Sequence, residues 1–407
     1  LLAIFADSKE IESATEGDEV LLLLDSTVFY GESGGQVGDT GMLTSQNASF
    51  EVLDTQKQGD AFVHRGVLRS GALRVGEQLC ASVAAQARAA ITLNHSATHL
   101  MNAALRSVLG EHVLQKGSLV DADRLRFDFS HTAPVSSEEL RSIENQVNEE
   151  ILNNSSVSKE VLPIEKAQKK GALALFGEKY GDEVRVVTMG GDYSVEFCGG
   201  THVKRTGDIG LFKIVSETGI SSGVRRVEAV TGRGALALIE REEQTLRKVC
   251  EIVKSNSDDV LDKVQQLTNN TKALEKQLEQ LKSKMASSAG SDLASQAEEI
   301  DGVKVLVAVV EGFNPKTLRD TADQLKNKLG SAVVVLMSGA DGKVSIVAGV
   351  SKDLVGKVKA GDLANMVAIQ VGGKGGGRPD MAMAGGSDIS AIPAAAASVK
   401  PWLEERL

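Results

Sequence analysis

Aromatic side chains make up only 3% of this 407-residue chain, and cysteine occurs three times. Scarce aromatics argue against recognition of single-stranded nucleic acid mainly by base stacking. Three cysteines exclude a disulfide framework. Cys80 and Cys250 lie among apolar residues and are expected as buried thiols, which suits a reducing, cytoplasmic setting. No run of about 18 apolar residues occurs, so no spanning helix and no membrane partner are expected. The apolar start Leu1-Leu-Ala-Ile-Phe5 is too short for a signal segment and has no basic flank. It also lacks an initiator Met, so the chain reads as part of a longer one. Positive charge is short as well: 45 Lys plus Arg stand against 55 Asp plus Glu, a net of −10. That excludes coating of nucleic acid by bulk charge, while a local RNA site stays open.

Glycine, by contrast, is plentiful. Residues 1–90 read as short strands with Gly-rich turns, and Val20–Leu24, Phe50–Leu53, Ala61–Val63 and Gly66–Leu68 are strand candidates. Five glycines between Gly31 and Gly41 imply tight turns or positive φ. A small β-barrel is expected there. Residues 82–110 have helical spacing through Leu93, Ala97, Leu100, Ala104 and Val108, with Gly110 as the stop. Arg124–Phe129, Glu183–Val187, Ser194–Phe197 and Ile209–Ser216 read as strands, and Ser136-Ser-Glu-Glu139 opens a helix to about Asn153. An α+β domain over 91–232 follows. From 233 to 290 the sequence becomes charged and heptad-like: Val260, Val264, Leu267, Thr271, Leu274, Leu278, Leu281 and Met285 alternate spacings of four and three. Ser257 is the expected N-cap and Ser287–Asp292 the expected linker. A coiled-coil dimer, a helical hairpin and a helix packed on its own domain all suit that pattern. Residues 300–407 alternate strands and helices as a C-terminal α/β globular domain. Residues 301–407 carry 13 Lys plus Arg and 11 Asp plus Glu, the least acidic part of the chain and its best candidate for touching RNA.

Two pairs of residues carry the chemistry. His95-Ser-Ala-Thr-His99 puts two imidazoles on one helix face, one turn apart. Cys198-Gly-Gly-Thr-His202 adds a thiolate and a third imidazole. Three nitrogens and one sulfur suit one tetrahedral zinc per chain. Ser96 stands where a zinc protease needs a Glu, which excludes that class. Four protein ligands usually close a site, whereas catalytic zinc keeps one position open; the spacing leaves both roles available. Three neutral imidazoles and one thiolate leave such a site near +1. Gln115-Lys-Gly-Ser118 follows the His helix and reads equally as a cover for the metal or as a polar loop. Arg225-Arg226 reads as a phosphate clamp or a strand-end pair. Gly372-Gly-Lys-Gly-Gly-Gly-Arg378 matches neither GxxxxGKS/T nor GxGxxG, so Lys374 and Arg378 sit on a Gly-rich turn that either approaches RNA or is simply flexible. His64, His112 and His131 lack ligand-type partners and are expected to be surface or internally satisfied.

Taken together, Tyr30-Gly-Glu-Ser-Gly-Gly-Gln-Val-Gly-Asp-Thr-Gly41, His95-Ser-Ala-Thr-His99, Phe197-Cys-Gly-Gly-Thr-His202, Gly223-Val-Arg-Arg-Val-Glu-Ala-Val-Thr-Gly232 and Gly376-Gly-Arg-Pro-Asp-Met-Ala-Met-Ala-Gly-Gly386 resemble the C-terminal half of bacterial alanyl-tRNA synthetases. The motifs occur in that family's order and cover nearly the whole chain, without an aminoacylation core. The resemblance implies an editing domain that hydrolyses Ser-tRNA(Ala) and Gly-tRNA(Ala). It also implies a C-terminal domain that contacts the tRNA elbow, and a helical segment that forms a homodimer. It implies His95, His99, Cys198 and His202 as zinc ligands, and Thr98 and Gln115 as pocket residues for editing. A free-standing trans-editing deacylase, or a zinc-stabilised RNA-binding and dimerisation module without catalysis, are the competing readings.

Overall fold

The computed structural model describes residues 1–174, 181–340 and 342–407, with 282–291 described by their backbone alone. It is an α+β protein of two compact units, Leu1–Val249 and Cys250–Leu407. No helix among the described residues is long and apolar enough to cross a membrane.

The first unit opens with β1 (Ala3–Ala6), β2 (Lys9–Ile11), β3 (Ser13–Thr15), β4 (Glu19–Leu23), β5 (Gly41–Thr44), β6 (Ser49–Gln58), β7 (Ala61–Ser70), β8 (Ala72–Arg74) and β9 (Cys80–Val83). Seven of these form an antiparallel sheet in the order β2-β1-β4-β7-β6-β5-β9, and β3 pairs with β8. Alternate residues point to one core, where Val20, Leu22, Phe50, Val52 and Leu68 meet, as the two-residue period of a half-buried strand requires. The expected β-barrel is not closed: β2 and β9 are the sheet's ends and do not pair among the described residues. Closure needs strands that continue the wall with a consistent stagger. Here β2 is three largely exposed residues, and residues 24–40 leave the sheet as an irregular segment. Cys80, expected buried, is exposed on the edge strand β9, whereas Cys250 is buried.

Helix α1 (Ala85–Leu109) follows and ends at Gly110, whose φ of 114° stops the helix. The stretch 115–118, read equally as a cover for the metal or as a polar loop, is the start of a strand, β10 (Gln115–Val120). It pairs with β11 (Leu125–Ser130), and with β15 (Phe212–Ser221) and β16 (Val224–Thr231) builds a sheet in the order β10-β11-β16-β15. Helix α2 (Ser137–Leu152) starts on a capping box between Ser136 and Glu139, an arrangement worth about 1 kcal/mol. A smaller sheet, β12 (Ser158–Pro163), β13 (Glu183–Met189) and β14 (Ser194–Phe197), is backed by the short helix α3 (Ile164–Lys169). Ile209, expected to open a strand, belongs to a 3-10 turn at Thr206–Ile209. One core joins Leu100, Met101, Ala104 and Leu105 of α1 to Phe127, Phe129, Ile143, Val147 and Phe212. Helix α4 (Gly232–Val253) ends the unit and runs past its boundary.

In the second unit, α5 (Val260–Ala294) is one continuous helix, so the expected linker at 287–292 does not interrupt it. Its N-cap is Asp259 rather than Ser257, because the Asn256 side chain accepts from the backbone amides of Asp258 and Asp259. Val264, Leu267, Leu274, Leu278 and Leu281 are exposed along it; Met285 lies outside the described side chains. Then come β17 (Glu298–Ile300), β18 (Val303–Val309), α6 (Pro315–Leu329), β19 (Ala332–Ala340), β20 (Lys343–Val350), α7 (Ala360–Gln370), β21 (Lys374–Arg378), β22 (Met381–Gly386), α8 (Ile392–Ala397) and α9 (Val399–Glu404). The sheet order is β17-β18-β19-β20-β22-β21, with only β18 and β19 parallel. The run Val333–Met337 is apolar throughout because both faces are covered. Val334 and Leu336 meet α6, while Val333, Val335 and Met337 face the core shared with α7 and α8. The Gly-rich turn expected at 374–378 is an edge strand. A Cβ at Gly375 would lie 2.2 Å from that of Ala384, so close pairing with β22 needs glycine.

His64 is fully buried in β7. The Leu22 carbonyl, 3.2 Å from Nδ1, can only accept, so Nδ1 carries the proton and Nε2 takes the Thr27 hydroxyl at 2.7 Å. Burial pulls its pKa below 6.5. The unfolded chain therefore binds the proton more readily, and this residue's stabilising effect declines as pH falls below about 6.5. Thermal unfolding between pH 7 and 5 is expected to show a steeper loss of Tm for the native chain than for His64→Gln. Parallel curves would refute the buried neutral histidine.

Candidate metal centre

The middle of α1 turns a polar face inward. Asn94, His95, Ser96, Thr98, His99 and Asn102 are all buried. Polar groups in such a place need partners, and most find them. Asn94 accepts from the Thr231 hydroxyl and donates to the Asp121 carbonyl. Ser96 donates to the Thr92 carbonyl and accepts from Val203 N. Thr98 donates to the Asn94 carbonyl at 2.9 Å. The i, i+4 spacing stacks the His95 and His99 rings with centroids 5.2 Å apart.

Across from them, the turn after β14 delivers Cys198 and His202. The ligand atoms of His95, His99, Cys198 and His202 lie within 4.8 Å of one another, and all four residues are buried. His99 Nε2 is 3.1 Å from His202 Nε2, and Cys198 Sγ is 3.3 Å from His95 Nε2. A tetrahedral ion with bonds of about 2.0–2.3 Å holds its ligand atoms roughly 3.3–3.6 Å apart. The donor set and its spacing therefore fit a metal ion.

The turn that carries Cys198 and His202 is pinned from several sides. Arg185 donates through Nε to the Cys198 carbonyl at 2.7 Å and through Nη2 to that of Gly200. Lys159 Nζ donates to the His202 carbonyl at 2.9 Å. Gly200 is obligatory here, since a Cβ would lie 2.1 Å from His95 Cε1.

Two residues outside the expected set hold the ligands. Glu196 Oε2 accepts from His99 Nδ1 at 2.6 Å, and its other oxygen accepts from Asn102. Gln36 Oε1 accepts from His95 Nδ1 at 2.7 Å, from Thr201 N at 2.8 Å and from the Thr201 hydroxyl at 3.2 Å. Each partner fixes its imidazole with Nε2 toward the centre, the usual outer arrangement of a metal site. Gln36 arrives on the Gly-rich segment, where Gly35 adopts φ 82° and passes so close to Ser118 that a Cβ would lie 2.6 Å from its carbonyl. The segment is anchored by Asp39, almost fully buried, which pairs with Arg88 of α1 and accepts from Tyr30 N at 2.5 Å. The signal for Glu196 was a single acid in the apolar strand Val195-Glu-Phe197, two residues before Cys198 and so on the same strand face.

Burial opposes charge on His99, yet the Glu196 carboxylate and the Cys198 thiolate outweigh it and lift its pKa to about 10. His202 is equally buried without a carboxylate, and its pKa falls to about 3. Burial would also keep Cys198 a thiol, but His95 and His99 drive it well below the ordinary thiol value. The lowered Cys198 pKa favours the thiolate that a metal ion needs. The +1 expected from the four ligands alone is offset by Glu196, whose carboxylate brings ion, thiolate and acid to zero. His202 Nδ1 and Gln36 Nε2 are buried without a hydrogen-bond partner.

The other expected site residues lie apart from this cluster or are already engaged. Gln115 is half-buried at a bulge between β10 and β11 and makes no side-chain hydrogen bond to the four ligands among the described residues. Arg225 is held by Glu217 at 2.5 and 2.6 Å, and Arg226 by Asp128 at 2.6 and 2.8 Å. Lys374 and Arg378 are exposed on β21, with Arg378 3.5 Å from Asp380. His112 and His131 contact each other at the surface.

Known proteins match the whole chain in sequence. Residues 1–87 match the family model described as tRNA synthetases class II (A). Residues 184–228 match the threonyl and alanyl tRNA synthetase second additional domain, and 302–405 the DHHA1 domain. An alanine–tRNA ligase of Saccharophagus degradans is 56% identical over 400 residues, 98% of this chain and 46% of that protein. One of Pseudomonas entomophila is 54% identical over 407 residues, 100% of this chain and 47% of its own length. A solved structure, the C-Ala domain from Aquifex aeolicus alanyl-tRNA synthetase, shares 32% identity over 26% of this chain and 97% of its own, with a TM-score of 0.26. The chain spans about half the length of the curated relatives it matches.

Since Gln36 orients His95, Gln36→Ala is expected to weaken binding of a divalent transition metal about 10- to 100-fold. Competition against a chromophoric chelator measures it. Unchanged affinity would show that the glutamine does not serve the metal.

Proposed function

The chain belongs to the alanyl-tRNA synthetase family, and on that premise we propose that its buried cluster hydrolyses the ester of tRNA(Ala) misacylated with serine or glycine. The observation that carries this reading is the convergence of two imidazoles from α1, the helix that also carries Thr98, with the thiolate and third imidazole of the turn after β14. The need is physical. A pocket for alanine separates glycine by one methyl group, about 1–3 kcal/mol, and rejects the added hydroxyl of serine poorly. A second site must then recognise what the first admits.

His95, His99 and His202 through Nε2, and Cys198 through Sγ, would hold one zinc per chain, which when bound supplies positive charge to an ester carbonyl. Glu196 and Gln36 keep the two α1 imidazoles in register. Thr98 has its proton on the Asn94 carbonyl, so its lone pairs are left to accept the hydroxyl of a seryl ester. The Gln115 amide makes no side-chain hydrogen bond among the described residues, and Gln115 is proposed as the second pocket residue. For tRNA contacts, Arg225 and Arg226 would have to leave or share their carboxylates, whereas Lys374 and Arg378 stand exposed on the C-terminal sheet. We extend the reading to domains: a sheet over 1–90, an editing domain over 91–232, a helical segment over 233–290 and a tRNA-binding domain over 300–407. The exposed leucines of α5 support pairing of two copies as a coiled coil. A second reading, a zinc-stabilised binding module, is favoured by the four-ligand set, which leaves no open position.

Incubation of the chain with Ser-tRNA(Ala) and Ala-tRNA(Ala) separates the two. Editing requires faster loss of the seryl ester, and equal background loss of both would sink it. Cys198→Ala is expected to abolish the activity. Thr98→Val, which keeps the shape but removes the acceptor, is expected to lower kcat/KM for the seryl ester about tenfold, the worth of one hydrogen bond. For α5, a purely monomeric sedimentation profile at micromolar concentration would count against the coil.

A further inference from the structure

In this acidic chain several buried or half-buried cations of the first unit are matched to acids. Arg88 pairs with Asp39, Lys213 with Glu144, Arg225 with Glu217 and Arg226 with Asp128. Beside the metal cluster three are not. Lys159, Arg185 and Lys204 form no ion pair with a carboxylate among the described residues, whereas Lys170, just after helix α3, pairs with Glu160.

The topology gathers these three. Strand β12 is an edge, antiparallel to β13, with Lys159 opposite Val187 and Val161 opposite Arg185. Lys159 and Arg185 are therefore diagonal neighbours on one sheet face. Both end on the turn 198–202, at the His202 carbonyl and at the Cys198 and Gly200 carbonyls. Lys204 follows that turn by two residues, and its carbonyl accepts from Val157 N at 2.9 Å, which sets it beside the start of β12. Nearby carboxylates are committed: Glu160 points to the opposite face and holds Lys170, and Asp208 accepts from the backbone amides of Lys204 and Arg205. Lysines on an edge strand commonly serve only to prevent edge pairing. That role needs neither Arg185, on the inner strand, nor Lys204, outside the sheet.

We propose that Lys159, Arg185 and Lys204 form a docking edge for the phosphodiester backbone of the RNA whose terminal ester enters the metal cluster. The inference rests on the function proposed above. Arg185 and Lys159 cap the carbonyls of the turn, so an approaching phosphate meets cations rather than lone pairs. Lys204, exposed and with no side-chain partner among the described residues, is free to follow the strand. Charge must carry such docking here, because aromatic side chains for stacking are scarce.

The test uses the full 407-residue chain and an acceptor-arm hairpin RNA with an unpaired 3′ tail. Binding is read by fluorescence anisotropy across a salt series. Lys204→Gln and Lys159→Gln are each expected to weaken binding and to reduce the slope of log K against log salt by about 0.7, the share of one single-strand phosphate contact. Metal content checks that the turn is intact; if Lys159→Gln loses metal, Lys204→Gln alone decides. Unchanged slopes, or equally tight binding of a poly-glutamate chain that competes with the RNA, would overturn the proposal. Hydrolysis distinguishes its failure from that of the editing reading. Lys204→Gln should raise KM for Ser-tRNA(Ala) while hydrolysing seryl-adenosine, which has no phosphate, as the native chain does. If the native chain hydrolyses neither ester, the editing reading fails, and the salt slopes still decide the docking edge.

Discussion

Three imidazoles, a thiolate and a carboxylate are buried within one small region of the first unit, and that desolvation has to be offset locally. Much of the unit's architecture follows from it. Helix α1 supplies two imidazoles and the Asn102 that steadies Glu196. The sheet β12–β14 supplies the thiolate, the acid and, through Arg185 and Lys159, the cations that cap the turn. The N-terminal sheet sends Gln36 across on a segment with too many glycines to be a strand. Removing any one of these leaves a buried polar atom unpaired, and such a group costs about 1–3 kcal/mol, more if charged. The pieces are therefore mutually dependent, although they come from positions as distant in sequence as Gln36 and His202.

This dependence explains what could be read from sequence and what could not. The four ligand types stood in two spaced pairs, and the helix that carries the first pair was legible from its period and from Gly110. The helix at Ser136 was legible because a capping box is a local signal. Glu196 and Gln36 were not seen, because an outer partner is defined by what it touches, and neither has a fixed offset from its histidine. The barrel expected at the N-terminus fails for a related reason. Strand periodicity tells which face is buried but not whether the last strand meets the first. Residues 24–40, read as turns within a wall, in fact leave the sheet toward α1.

Glycine shows the same limit on a smaller scale. Runs such as 372–377 announce unusual backbone but not its purpose. In one place glycine lets Gln36 pass against Ser118; in another it lets an edge strand lie against Ala384. The Cys250–Leu407 unit was easier to read. Its central strand β19 is apolar on both faces, and the helix Pro315–Leu329 begins on an Asn314 cap and ends before Gly330. The heptad run was equally clear as a helix, but its break at 287–292 was not real, since serine and a single glycine do not outweigh the flanking helical turns.

Charge in the first unit divides along the same line between internal and outward roles. Arginines that a sequence would nominate as phosphate clamps are bound bidentately to acids, an arrangement that holds β11, β15 and β16 in register. A guanidinium so placed must lose strong, charge-assisted bonds before it can greet a phosphate. Lysines around the metal turn carry no such commitment to an acid. An adjacent pair of arginines is conspicuous in sequence, whereas Lys159, Arg185 and Lys204 are scattered over 46 positions and become a group only when β12, β13 and the turn at 198–202 come together. Where a chain is acidic overall, cations that folding gathers without an acid offer a polyanion a place to approach, and Lys159, Arg185 and Lys204 are gathered so beside the buried cluster.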